Sequence, residues 1–115
     1  MKEEKFKVIQ FIRELIIYID RNLENFPRKD IELKNKIRNI SYELLENVYE
    51  ANIENEEQIK TRKLNEIMAK IKVLDFLFNL CYDKQIINQK RYIKFGNKLD
   101  DILKYAIGWQ NTIKK

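Results

Sequence analysis

The chain contains no histidine among its 115 residues. That absence removes the general base of Ser-His and Cys-His nucleophiles, histidine-ligated zinc, and the Glu-x-x-His ligands of di-iron bundles. Cysteine occurs once, at Cys81, so no intrachain disulfide can form and the chain is not a cysteine-stapled secreted scaffold. Glycine occurs twice and proline once. Folds built from many tight turns need more of both, so a few long elements are expected. Long hydrophobic runs are missing too: the longest, Leu15 to Ile19, is far short of the roughly 20 residues a membrane helix needs. The opening Met1-Lys2-Glu3-Glu4-Lys5 lacks the apolar core and small-residue cleavage site of a signal peptide. No membrane association and a cytoplasmic location are expected.

What remains is rich in apolar residues (44%) and charge (36%), the balance of one soluble domain spanning residues 1–115, with a real core and a charged surface. The apolar positions carry helical period in four stretches. In the first, about residues 3–23, Phe6, Ile9, Ile12, Ile16, Ile19 and Leu23 form a seam, with Val8, Phe11, Leu15 and Tyr18 as a second stripe. Pro27 stops it, because proline disfavours a helical residue before it. The second, about 29–52, has the seam Leu33, Ile37, Ile40, Leu44, Val48 and Ala51. The third begins near Asn55, whose spacing to Gln58 resembles a capping box. Its seam is Leu64, Ile67, Ile71, Leu74, Phe78 and Cys81, widened by Val73, Leu77 and Leu80. Residues 82–87 form a short loop, and Asn88 suits the N-cap of the last helix. There Tyr92, Phe95, Leu99, Ile102, Ala106, Trp109 and Ile113 alternate steps of three and four in a heptad-like seam. Gly96 and Gly108, inside this helical pattern, suggest close approach of a neighbouring helix. Short loops between long helices predict an all-α, antiparallel up-down-up-down four-helix bundle.

Charge is segregated. Residues 1–82 carry 15 Lys/Arg and 15 Asp/Glu, whereas residues 83–115 carry 8 Lys/Arg and 3 Asp, so the whole net +5 lies in the last loop and helix. Lys90, Lys94 and Lys98, with Arg91 beside them, recur every four residues in a ridge expected opposite the Tyr92-Phe95-Leu99 seam. A second basic group comprises Lys60, Arg62, Lys63, Lys70 and Lys72, and a third runs from Arg28 and Lys29 through Lys34 and Lys36 to Arg38. An acidic block of Glu43, Glu46, Glu50, Glu54, Glu56 and Glu57 separates the second and third. Segregated basic ridges are the footprint of a polyanion-binding surface. The nine candidate contacts are Lys60, Arg62, Lys63, Lys70, Lys72, Lys90, Arg91, Lys94 and Lys98. No aromatic is placed on the ridge by the pattern. A plain solvated helix face accounts for the same charge. Cys81 continues an apolar stripe and reads as core. No catalytic constellation, cofactor motif or metal-ligand set is visible, so binding is expected in place of catalysis.

Three segments also resemble a known family. Phe26-Pro27-Arg28-Lys29 followed by Leu33 and Ile37, Leu44-Leu45-Glu46 followed by Glu50-Ala51-Asn52, and Tyr82-Asp83-Lys84-Gln85-Ile86-Ile87-Asn88 followed by Tyr92 and Gly108-Trp109 occur in the order and spacing of the accessory variability determinant (Avd) proteins of diversity-generating retroelements. More broadly they resemble the four-helix bundles encoded in ribosomal-RNA intervening sequences. Lys34 and Ile107 depart from the family pattern, which often has glycine at both places. The resemblance, which runs from about residue 9, implies a non-catalytic accessory protein. It implies a homopentamer that binds RNA or DNA with little sequence preference and associates with a reverse transcriptase in mutagenic cDNA synthesis. The alternative is an intervening-sequence-type bundle that assembles with itself without a nucleic-acid role.

Overall fold

The computed structural model describes residues 2–113, with the side chain of Lys2 outside that description. Its elements are α1 (Lys2–Asn22), a 3-10 turn (Arg28–Asp30), α2 (Ile31–Ile53), α3 (Glu57–Asp83) and α4 (Gln89–Asn111), with no strand among the described residues. At ~1.5 Å per residue, α3 alone is about 40 Å long, and the molecule measures 45 × 23 × 19 Å.

Helix α1 packs on α2 and α4, and α3 packs on α2 and α4, while the backbones of the diagonal pairs stay further apart. The register of side-chain contacts sets the directions. Phe11 meets Tyr105 and Tyr18 meets Phe95, so α1 and α4 run antiparallel. Lys63 reaches Glu50 and Lys70 reaches Glu43, which makes α2 and α3 antiparallel. Gln110 bonds Thr61 and Asn65 at the start of α3, while Asn79 near its end bonds Tyr92 at the start of α4. Those two helices are antiparallel as well, and α1 must then oppose α2. The bundle is up-down-up-down, as its short connections require.

One cluster of buried side chains fills the centre. The α3 seam is buried throughout, and Phe95, Leu99, Ile102, Ala106 and Trp109 are buried on α4, with Tyr92 and Ile113 half-buried at its ends. On α2, Leu33 is half-buried and the polar Ser41 and Asn47 join the interior. Helix α1 differs from expectation. Its buried line is Val8, Ile12, Leu15 and Ile19, continued by Leu23 just past its end and drawn from both sequence stripes, and Phe6 is 62% exposed. Val73 also lies outward, so it does not widen the α3 seam.

The helix ends differ in detail from the sequence signals. Residues 28–30 form the 3-10 turn before α2 starts. No capping box forms at Asn55: α3 starts at Glu57, and the Glu54 carboxylate accepts the Glu56 N–H at 3.0 Å instead. Helix α3 continues through Tyr82 to Asp83, so the turn is only residues 84–88, with Gln85 at φ 63°. Asn88 does cap α4, its Oδ1 accepting the Arg91 N–H at 2.8 Å. The space above Gly108 is occupied by Glu4 Cγ of α1, 3.0 Å from where a Cβ would sit, whereas Gly96 faces open space.

Candidate nucleic-acid interface

Each residue of a helix turns about 100° from the last. Lys94 and Lys98 therefore stand directly beside Phe95 and Leu99, on the side of α4 that faces α1. The basic ridge borders the seam; it does not lie opposite it. An aromatic ring lies beneath it. Tyr18 of α1 packs edge-on against buried Phe95, ring centres 4.9 Å apart, and carries Lys94 Nζ and Lys98 Nζ at 5.3 and 4.9 Å from its ring centre. Cations over an aromatic face are held by roughly 0.5–1 kcal/mol each at exposed sites. Burial pushes the Tyr18 hydroxyl pKa up, and the nearby charge of Arg91 draws it partly back. Core packing is thus transmitted outward in three steps, from Phe95 to Tyr18 to the two ammonium groups.

Lys90, Lys94 and Lys98 share a shallow groove with Ile93, Asn97 and Asp101. Exposed Ile93 adds an apolar side chain to its lining. Among the described residues none of Lys90, Arg91, Lys94 and Lys98 has a carboxylate within ion-pair distance. Their charge is left for solvent or for a ligand.

The second basic group is dispersed. Lys60 falls on the line of the α3 seam at its first turn and is half-buried. Lys63 and Lys70 face α2, where they are neutralised. Lys63 Nζ lies 3.2 Å from Glu50 and 4.0 Å from Glu66, and Lys70 Nζ lies 3.7 Å from Glu43 and donates to Asn47 Oδ1. Asn47 Nδ2 completes this α2–α3 network by donating to Glu50 and Glu66, both at 3.2 Å. Arg62 points outward and Lys72 lies toward α4, both exposed. In the third group Arg38 donates to Tyr42 Oη at 3.0 Å and sits 3.7 Å from Asp20 of α1. The structure therefore gathers Lys90, Arg91, Lys94 and Lys98 and separates Lys60, Arg62, Lys63, Lys70 and Lys72.

Three contributors escaped the sequence pattern. Tyr18 reaches the ridge only because α1 packs on α4. Tyr82, at the end of α3, stacks on Tyr92 with ring centres 5.1 Å apart. Arg21, in the last turn of α1, lines the same depression as Arg91. No helix is long and apolar enough to cross a membrane, and no cluster of three metal-ligating side chains occurs among the described residues. Cys81 is buried and its thiol is pushed up to about 11 by burial.

Fold and surface together define a four-helix bundle carrying a cationic strip whose charges have no ion-pair partner among the described residues. The particular lineage follows from the whole chain: residues 5–113 match the model of the bAvd-like family, and the protein belongs to that family. The family is of the accessory, non-catalytic type and is the one that the three segments resemble. No curated protein and no solved structure matches the chain.

Proposed function

We propose that this protein is an accessory factor that binds nucleic acid through the α4 ridge and associates with a reverse transcriptase to support mutagenic cDNA synthesis. The observation that carries the nucleic-acid reading is the set of unpaired cations Lys90, Arg91, Lys94 and Lys98 on one side of one helix. Lysines already neutralised, such as Lys63 and Lys70, would have to break an ion pair to reach a phosphate. The free ones need only exchange solvent counterions, and release of those ions drives association. Membership in the bAvd-like family supports the accessory role, and the reverse transcriptase as partner follows from the Avd resemblance. Repetition of the ridge around a homo-oligomer, five subunits by the same resemblance, multiplies a modest patch into many simultaneous contacts.

Filter binding of RNA and DNA at two salt concentrations tests this. Affinity should fall with salt at a log-log slope of about −0.7 to −0.9 per phosphate contacted. Replacing Lys90, Lys94 and Lys98 with Gln should flatten the slope and leave helix content unchanged. Lys63→Gln should cost stability more than affinity. Absence of binding at low salt would favour the self-assembling bundle without a nucleic-acid role, for which the exposed Phe6, Ile17 and Phe76 provide apolar contact surface.

A further inference from the structure

Beyond the ridge, the end of the bundle where the turn at residues 84–88 meets the last turn of α1 carries two adjoining depressions. Its first component is a fixed aromatic platform. The Tyr82 and Tyr92 planes lie within 5° of parallel, and Tyr92 is itself held by Asn79 Nδ2 donating to its hydroxyl at 2.9 Å. One face of the Tyr82 ring is thereby backed, while the residue remains 36% exposed. Its second component is a depression of about 450 Å³ bordered by Tyr82, the turn residues Gln85 to Asn88, and Arg91. The sharp turn at Gln85, with its left-handed φ of 63°, sets an amide side chain on this rim. Its third component is charge. Arg91 also lines an adjoining smaller depression with Arg21, where Glu24 is the one carboxylate on the rim. Neither guanidinium has an ion-pair partner among the described residues.

A braced aromatic face beside two unpaired guanidinium groups matches the two halves of a nucleotide. Bases offer a π-face to an aromatic side chain when they are unpaired, and in a duplex that face is already covered by its neighbours. Arginine holds a phosphate through paired N–H donors. Arg91 is also the immediate neighbour of Lys90, where the free lysine line begins. We propose that this end of the bundle holds one unpaired nucleotide of a single-stranded nucleic acid, with its base on Tyr82 and its phosphate between Arg91 and Arg21. The neighbouring phosphates then continue along Lys90, Lys94 and Lys98. The inference rests on the nucleic-acid reading of the ridge and adds to it a preference for unpaired over duplex strands.

The test uses the full chain and a short unstructured RNA carrying one 2-aminopurine, alone and annealed to its complement. Wild type should bind the single strand more tightly than the duplex and quench the 2-aminopurine. Tyr82→Leu keeps apolar contact with Tyr92 but has no π-face. It should lose about five- to a hundred-fold in single-strand affinity, together with the quench, with duplex affinity unchanged. Tyr82→Phe should restore both. Arg21→Gln, at an exposed position away from the stacked pair, should weaken the single strand more than the duplex even if Tyr82→Leu fails to fold. Equal binding of both strands by wild type, with the quench unaffected by Tyr82→Leu and no selective effect of Arg21→Gln, would overturn the nucleotide site and leave the ridge standing. No binding of either strand would overturn both readings.

Discussion

Removing the Phe95 ring tests the packing beneath the ridge. Phe95 is fully buried, stacked on Phe78 with ring centres 4.0 Å apart and planes within 14°, and it receives Tyr18 edge-on. Truncating a buried phenylalanine costs ~3–5 kcal/mol, through lost transfer energy and the cavity left behind. Two ring contacts, each worth ~0.5–1.5 kcal/mol beyond area, place Phe95→Ala in the upper half of that range. A chain of 115 residues has a total stability of about 6–17 kcal/mol. The variant should therefore fold, with Tm lowered by roughly 15–20 °C, taking about 4 °C per kcal/mol at this size. Phe95→Leu retains most of the apolar volume and forfeits both ring contacts, so it should cost about 1–3 kcal/mol. Ile53→Ala, at a residue 77% exposed, is the control and should cost less than about 0.5 kcal/mol. Urea unfolding followed by circular dichroism measures all three, at one protein concentration because subunit association would add to apparent stability. A loss below about 2 kcal/mol for Phe95→Ala would show that these rings do not form the centre of the core.

Three further outcomes follow from single residues. Cys81 is buried with its thiol pushed up to about 11, so it should resist a disulfide reagent at neutral pH and react fully only after unfolding; fast labelling of native protein would contradict its place in the core. Gly96→Ala meets no neighbour and should stabilise by ~0.5–1 kcal/mol in thermal melts, whereas Gly108→Ala meets Glu4 Cγ at 3.0 Å and should gain less. The Lys63 hydrogen bond, helped by that of Asn47, holds the Glu50 carboxyl below the ordinary 4.5. A carboxyl lowered in the folded state stabilises the fold above the unfolded value, and the gain disappears as pH falls through the folded one. Glu50→Gln should therefore flatten the acid limb of stability against pH. The effect is small because both side chains are partly exposed.

Legibility from sequence depended on how many faces of each helix are apolar. Helix α4 carries one continuous stripe, and on α3 the seam is longer than the second, outward stripe; every position of the α3 seam is buried as the period demands. Helix α1 has apolar residues around most of its circumference, so periodicity could not choose between its stripes, and only contact with α2 and α4 selects Val8, Ile12, Leu15 and Ile19. The basic residues show the same limit. Lys63 and Lys70 look free because their partners Glu50 and Glu43 lie on another helix, outside any i, i+4 pattern. Tyr18 and Lys98 are separated by most of the chain, so the ring under the ridge is a property of the α1–α4 interface alone.

Self-association is the outcome expected from the apolar side chains that the core leaves out. Phe6 and Ile17 lie on the outward line of α1, 62% and 50% exposed, and Val73 and Phe76 lie on that of α3, 44% and 59% exposed. On α3, Ala69, Val73, Phe76 and Leu80 recur at steps of four, three and four, a second helical stripe away from the seam. Monomers seldom leave such stripes bare. Helices α1 and α3 occupy diagonal corners of the bundle, so the two patches face away from each other. A twofold contact joins one patch to itself, whereas two unlike patches on opposite sides join head to tail and close a ring when the rotation allows. Light scattering should accordingly find an oligomer at micromolar concentration, with five subunits the number implied by the Avd resemblance. Phe76→Glu and Ile17→Glu, each at an exposed site, should yield folded monomers separately. Mixed together they retain one intact patch each, of opposite kind, and should form a heterodimer that grows no further. A wild-type monomer would refute self-association. An oligomer broken by one variant and untouched by the other would replace the ring with a twofold contact through a single face.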